Sequence, residues 1–404
     1  MVGGGTPVLT TASAAPGDIL AERRGDHPDR RATRRGDRRR QKTVAVTGGA
    51  GYIGSILVHR LLARGYRVRV VDALLYGDGA IRDLLMHPNL TMIVTDFRRH
   101  EQLARAIDGA DAVIHLGAIV GDPACAIDED FTLSTNLEAT RLIAGLCRTL
   151  GVPRLVFAST CSVYGASDEL LDEESALNPV SLYARSKIAA ERELLEHPDA
   201  RTAPVVLRFA TAYGASYRPR FDLAVNVLTA KAVTEGAATI FGGDQWRPFV
   251  HVDDIARALI VATEAPLGRV AGQIFNVGAD EQNHRLIEVG DLIKEILPPA
   301  LILADERIVD RRNYHVRFAK IRDVLQFTAA HDLRGGIAEL AAAVTGPLRR
   351  WTDPLYDNNA YLRQLLTQQP HRLAPPLRLV PAAGAGWAAG ARAHAPRLAR
   401  VGLD

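Results

Sequence analysis

The sequence predicts an α/β protein built on a doubly wound parallel sheet, with a smaller lobe towards the C-terminus. Three observations carry this. From residue 43 onward, short apolar runs alternate with segments of helical spacing. The runs are apolar almost throughout, as in strands buried on both faces. A glycine-rich turn joins the first run to the first helical segment.

The elements follow in order. Thr43-Val44-Ala45-Val46-Thr47 reads as the first strand and ends at the glycine turn. Ser55 to Arg64 is helical, because Ile56, Leu57, Leu61 and Leu62 recur on one face. Tyr66 to Asp72 and Leu90 to Thr95 read as strands, Glu101 to Asp108 as a helix, and Ala112 to Leu116 as a fourth strand. Phe131 to Leu150 reads as one long helix and Arg154 to Ser159 as a fifth strand. Leu182 to Glu196 is a helix and Val205 to Phe209 a strand. Past Tyr213 the alternation loosens, with helices expected near Asp253 to Thr263 and Leu286 to Ile296.

The expected organisation is a disordered basic leader over 1–42 and a dinucleotide-binding domain over 43–212. A substrate lobe over 213–345, interleaved with that domain, and a weakly ordered Pro/Ala/Gly-rich tail over 346–404 complete it. At 404 residues and 47% hydrophobic content the chain can bury a large core. Between Glu22 and Lys42 ten Arg or Lys face four acids, a local excess of +6. The chain's net charge of +3 therefore belongs to the leader, and the remainder carries about −3. No aromatics interleave those arginines, so no nucleic-acid partner is expected. No apolar run approaches the roughly 20 residues that span a bilayer. Cys125, Cys147 and Cys161 are too few and too unpatterned for a disulfide framework or a zinc site, which points to the cytoplasm and to no metal.

The glycine turn Gly48-Gly49-Ala50-Gly51-Tyr52-Ile53-Gly54 follows a strand and opens a helix, the context a dinucleotide fingerprint requires. Glycines let the backbone approach a pyrophosphate, and the helix N-terminus offers N–H groups to the anion. Asp72 ends the second strand 18 residues after Gly54. A carboxylate there accepts from ribose hydroxyls and repels a 2′-phosphate, which favours NAD over NADP. Further along, Tyr183 and Lys187 stand one helical turn apart on one face. An ammonium near a phenol stabilises the phenolate, so the tyrosine can act as a base. Thr160 ends a strand at the edge where ligands gather in open α/β sheets, and its hydroxyl can bond the reacting oxygen.

With these residues on the page, the stretch from 43 to about 340 resembles an extended short-chain dehydrogenase/reductase, of the nucleotide-sugar epimerase and dehydratase branch. The resemblance rests on the glycine turn, Asp96-Phe97-Arg98, His115-Leu116-Gly117-Ala118 and Ser159 to Gly165. Tyr183-Ala184-Arg185-Ser186-Lys187 and Arg247 to Asp254 complete it, all in the family's order. It implies a Rossmann-type sheet, NAD, and a UDP-, dTDP-, GDP- or CDP-linked sugar as substrate. It implies that Asp96 and Phe97 flank the adenine and that Leu116, Gly117 and Ala118 line the nicotinamide side. Thr160, Tyr183 and Lys187 become the catalytic set. Arg247 grips the substrate diphosphate with help from Arg312, and Asn136 is a scaffold residue. A homodimer through the helices at 131–150 and 182–196 is the family's habit.

Two departures keep the reaction open. The family's 4,6-dehydratases carry an Asp-Glu pair after the catalytic Thr, whereas Cys161-Ser162 stands here. Ser162 suits an epimerase, while a Cys161 thiol over the sugar would allow an unusual elimination. Thr211 replaces an asparagine that many relatives place near the substrate phosphates. A C4 epimerase is the first reading, a dehydratase the second, and a non-catalytic dinucleotide-binding protein the third.

Overall fold

The computed structural model describes residues 41–197, 199–305, 307 and 312–373. Residues 1–40 of the expected leader (1–42) and the last part of the expected tail, 374–404, lie outside the described residues. Seven strands form the central sheet: β1 (Thr43–Thr47), β2 (Arg67–Asp72), β3 (Leu90–Val94), β4 (Ala112–His115), β5 (Arg154–Thr160), β6 (Ala203–Phe209) and β7 (Gln273–Val277). Their spatial order is β7-β6-β5-β4-β1-β2-β3, and every pairing is parallel. The order reverses between β1 and β4, which opens a crevice at their C-terminal ends.

Among the described residues nine longer helices flank this sheet and the lobe: α1 (Tyr52–Ala63), α2 (His100–Ile107), α3 (Ala139–Leu150), α4 (Leu182–Leu195), α5 (Ala224–Glu235), α6 (Val252–Glu264), α7 (Leu286–Ile296), α8 (Leu333–Thr345) and α9 (Asn358–Gln368). Both faces of the sheet are covered, as the unbroken apolar strands require. Val44 and Val46 of β1 pack with Leu57 and Leu61 of α1 and Ile255 and Leu259 of α6. Ala45 of the same strand points the other way, to Leu103 of α2 and Ile143 of α3. Each such aliphatic side chain taken fully from water contributes about 1.5–3 kcal/mol.

Three expectations are refined here. The single helix over 131–150 is broken: a turn at Glu129–Leu133 runs into a π-helical turn, Ser134–Glu138, before α3. The π turn lets Asn136 reach the chain after β4. Its Oδ1 accepts from Ile119 N (2.8 Å) and its Nδ2 donates to Ile119 O (2.9 Å) and Ser186 Oγ (3.2 Å). The segment after 213 also returns a strand to the main sheet, since β7 pairs with β6 from Gln273↔Val205 to Val277↔Phe209. The third concerns the tail. Residues 358–368 form α9, whose Leu362 and Leu365 are buried against Phe131 and Cys125, so this part is packed structure and not weakly ordered chain.

The lobe has its own core, with Val225, Leu228, Ile240, Phe249, Val289, Ile293 and Leu340 in one cluster. Small sheets serve it: Thr211–Tyr213 pairs with Trp246–His251, and Ala237–Phe241 with Leu301–Asp305. No helix among the described residues is long and apolar enough to cross a membrane.

Candidate active site

A cleft of about 170 Å3 opens at the C-terminal ends of β1, β2, β4 and β5. Gly48, Gly51, Tyr52, Ile53, Gly54, Asp72, Phe97, Leu116, Gly117, Ala118, Tyr183 and Lys187 all line it. Asp96 alone of the expected cofactor residues stands off, in a side crevice with Thr95, Arg99 and Arg372. There Arg98 holds its carboxylate at 2.6 Å.

The turn needs its glycines for close approach. Gly48 has φ +73°, and a Cβ on it would meet Gly117 N at 2.7 Å. A Cβ on Gly54 would lie 2.1 Å from Gly48 O. Helix α1 starts at Gly51 with no side-chain cap and no acid in its first turn, so its dipole faces the cleft unopposed. Asp72 braces the turn: Oδ2 accepts from Ala50 N (3.0 Å) and Oδ1 from Leu74 N (2.9 Å). Burial pushes this carboxyl up, against those two N–H donors and the positive Arg218. Tyr52 ties the turn to the lobe, its hydroxyl donating to Gly214 O at 2.8 Å.

At the other end, Ser181 caps α4 by accepting from Ala184 N (3.2 Å), which aims the next residues at the sheet edge. Burial pushes the Tyr183 phenol well up, and Cys125 and Asp122 push the same way. Arg220 and a hydrogen bond with Thr160 pull it back. Lys187 is 2% exposed; its Nζ donates to Ala158 O (2.8 Å) and lies 6.0 Å from the Tyr183 ring centroid. Burial lowers it to about 8. The cation pulling the phenol down in this structure is therefore Arg220, a residue the sequence reading passed over. Behind them, His115 is wedged between Thr47 Oγ1 (2.6 Å) and Thr140 Oγ1 (3.0 Å). Burial lowers it to about 3, so it is a neutral spacer.

The expected substrate residues gather beside this set, off the lined cleft. Arg247 is buried and donates through one Nη to Trp246 O (2.8 Å) and to Arg312 O, so the two arginines are brought together. Arg312 also faces Asp122 at 3.5 Å. Ser162 shares a hydrogen bond with the Tyr314 phenol, which lies under the Arg247 guanidinium at 5.7 Å. Thr211 stands at a strand start, paired in register with Phe249. Cys161, expected as a catalytic and substrate-contacting thiol, requires correction. It is fully buried in the main core, and its Sγ points at Arg208 O (3.3 Å). Burial holds the thiol well above its ordinary range. The thiol sits at a packed strand-to-turn junction and does not line the cleft.

The expected site set lacked several residues that line the cleft, among them Arg218, Arg220, Thr135 and Asn358. Arg218 and Arg220, within Arg218-Pro219-Arg220, carried a legible signal as a basic pair just past a strand-end glycine. Thr135 and Asn358 carried none. The cleft fits a polar ligand of dinucleotide kind. Thr135 Oγ1, Arg218 Nε and Asn358 Oδ1 are buried with no hydrogen-bond partner, and all three residues line it. Among the described residues no cluster of His, Cys, Asp or Glu could hold a metal ion.

The model of the NAD dependent epimerase/dehydratase family matches residues 44–278. The UDP-glucose 4-epimerase of Mycolicibacterium smegmatis is 29% identical over 318 residues, 73% of this chain and 96% of that one. The solved structure of MoeE5 in complex with UDP-glucuronic acid and NAD aligns at 32% identity with a TM-score of 0.66, over 75% of this chain and 99% of that one. DesIV, a dTDP-glucose 4,6-dehydratase from Streptomyces venezuelae solved with NAD bound, aligns at 26% identity and TM-score 0.69, over 78% and 99% of the two chains.

Proposed function

Since the chain belongs to the NAD dependent epimerase/dehydratase family, we propose that it is a C4 epimerase of a nucleotide-linked sugar. The coarser statement, an NAD-dependent nucleotide-sugar epimerase or dehydratase, follows from the family and its relatives. One observation carries the finer one. The two positions after Thr160 hold a buried thiol aimed into the core and a hydroxyl bonded to Tyr314, with no carboxylate to move protons in an elimination.

Bound NAD supplies a hydride acceptor that returns the hydride within the same turnover. The glycine turn and the α1 N-terminus would hold its pyrophosphate, and Asp72 its ribose hydroxyls. The chain's own residues manage the proton. Tyr183 Oη takes it from the sugar 4-hydroxyl, with Thr160 Oγ1 bonded to the same phenol. Arg220 and the Thr160 hydrogen bond oppose the burial that holds the phenol up, and Lys187 and the α1 N-terminus add positive charge to the same pocket. Arg247 and Arg312, anchored to one another, take the substrate diphosphate. The 4-keto sugar then turns within the site so that the opposite face of C4 would receive the returning hydride, and Tyr183 gives the proton back to the 4-oxygen. We place the enzyme in the cytoplasm as a homodimer through α3 and α4, and sedimentation checks the dimer.

Incubation with UDP-, dTDP-, GDP- and CDP-sugars, followed by NMR, tests the reading. An epimer formed without added cofactor supports it, and a product lighter by one water selects the dehydratase. Tyr183→Phe should lower turnover by about 10²–10⁴-fold while leaving nucleotide binding intact. Unchanged turnover in the variant would remove Tyr183 from the mechanism, and a wild type that converts none of these sugars would return the protein to the non-catalytic class.

A further inference from the structure

Helix α9 lies beyond the family match, which ends at residue 278. It is nevertheless built into the cleft. Asp357 caps it by accepting from Ala360 N (2.9 Å). Leu362 and Leu365 are buried in a cluster with Phe131 and Cys125, against which Tyr183 and Leu75 also pack. Before the helix, Leu355 O accepts from Arg218 (3.1 Å) and Tyr356 O from Phe221 N (2.8 Å). After it, Arg372 donates to Leu74 O (3.0 Å) and Leu373 O accepts from Arg98 (3.3 Å). The segment thus bridges the loop after β2 and the start of α4.

Its first residue, Asn358, is 3% exposed, lines the cleft, and has an Oδ1 with no partner. Arg218, 5% exposed and bonded to Leu355 O three residues before Asn358, lines the same cleft and leaves Nε without one. Only four side-chain atoms among the described residues are buried and unmet in this way, and three belong to this cleft. A folded chain tolerates such atoms poorly unless something pairs with them. Here an acceptor and a donor face one space. The location is the Asp72 end: Arg218 acts on Asp72 electrostatically and lies 3.9 Å over the Tyr76 ring, four residues past that carboxylate.

We propose that Asn358 is a dinucleotide-binding residue contributed by the C-terminal segment. Its Oδ1 accepts from a ribose hydroxyl of NAD, while Arg218 Nε donates to the adjoining pyrophosphate. This rests on NAD occupying the cleft. The test uses the full chain stripped of nucleotide, with NAD and ADP-ribose as probes, because both carry the riboses and the pyrophosphate. Titration calorimetry should give dissociation constants about tenfold higher for Asn358→Ala with both probes. The ligand-free melting temperature should stay level or rise, since an unmet buried acceptor is removed. Gln364→Ala, exposed on the same helix, should bind like the wild type. Equal affinity in Asn358→Ala overturns the proposal, and so does a loss confined to NAD. Asn358→Ser is judged by the same criteria if the alanine variant does not fold. Wild-type protein that binds neither probe fails the NAD reading itself, an outcome separate from a wild type that binds and a variant that binds as well.

Discussion

Beneath Thr160, Tyr183 and Lys187, the proposed catalytic set, lies an ion pair whose removal has a calculable cost. Glu191 and Arg208 have side chains 4% and 3% exposed and meet through two donors, Nε at 3.1 Å and Nη2 at 2.7 Å. Arg208 also donates to Tyr164 Oη (3.0 Å), which donates to Asn276 Oδ1 (2.8 Å), and Ser159 Oγ donates to Glu191. Burial alone would lower the guanidinium; the Glu191 hydrogen bond and charge outweigh it and push it up. Glu191→Leu keeps the volume but strands that cation in the core, and breaking a buried pair in this way costs about 3–5 kcal/mol. With an unfolding entropy near 2.1 cal/mol/K per residue over roughly 330 described residues, 4 kcal/mol lowers Tm by about 6 °C.

Differential scanning calorimetry on Glu191→Leu and on Glu191→Leu/Arg208→Met measures this. The double variant should recover most of the loss, because two apolar side chains of similar size replace the pair. A single variant within about 1 kcal/mol of wild type, or a double variant no better than the single, refutes the reasoning. A second readout follows from the geometry, since Glu191 sits one turn from Lys187 and its charge holds that ammonium up. Losing it should move the alkaline limb of the pH-rate profile to lower pH.

Lys187 titrates at about 8 in the fold against 10.5 unfolded, because burial disfavours its charge. Between those values the unfolded chain holds the proton and the folded one does not, so wild-type stability rises with pH by about 3 kcal/mol. The penalty is fully present below about 8. Lys187→Met lacks this term, so its Tm advantage over wild type at pH 7 should shrink by pH 10; a gap that stays constant contradicts the assignment. Gly54→Ala forces a Cβ against Gly48 O, and the purified variant should carry no nucleotide when denatured and assayed by absorbance. Cys161→Ala should lose about 1–3 kcal/mol in urea melts yet keep its turnover per folded molecule. Lost turnover at unchanged stability would restore a chemical role to the thiol.

Most of the sheet was legible because its buried parallel strands are apolar at most positions, and β1 to β6 fall within a few residues of their expected bounds. The cofactor end of the site was legible for a local reason: seven consecutive residues, 48–54, carry the turn, and Asp72 closes the next strand. What stayed hidden depends on contacts distant in sequence. Nothing in Ser134 to Glu138 marks a π turn, which exists so that Asn136 can hold Ile119. Asn358 reaches the cleft from a segment whose polar, proline-flanked composition reads as tail. The direction of Cys161 was hidden because the strand ends at Thr160, which bonds Tyr183, and Cys161 opens a 3₁₀ turn that carries its thiol to Arg208 O, a partner distant in sequence.

The placement of α9 also bears on the choice of reaction. An enzyme that ends its turnover with reduced cofactor must release it, and opening the site then limits the rate. Here the wall formed by α9 is tied at one end to Arg218 and at the other to Leu74, and buries Leu362 and Leu365 between. Opening it exposes both leucines, at about 1.5–3 kcal/mol each, besides four hydrogen bonds that water replaces only in part. A reaction that returns its hydride to the sugar never meets that barrier, because the cofactor need not leave. Epimerisation satisfies this condition, and so does an elimination that gives the hydride back. A simple oxidation of the sugar does not. The helix outside the family match therefore favours internally regenerated chemistry over simple oxidation, and within that chemistry the absence of a carboxylate after Thr160 favours epimerisation over elimination.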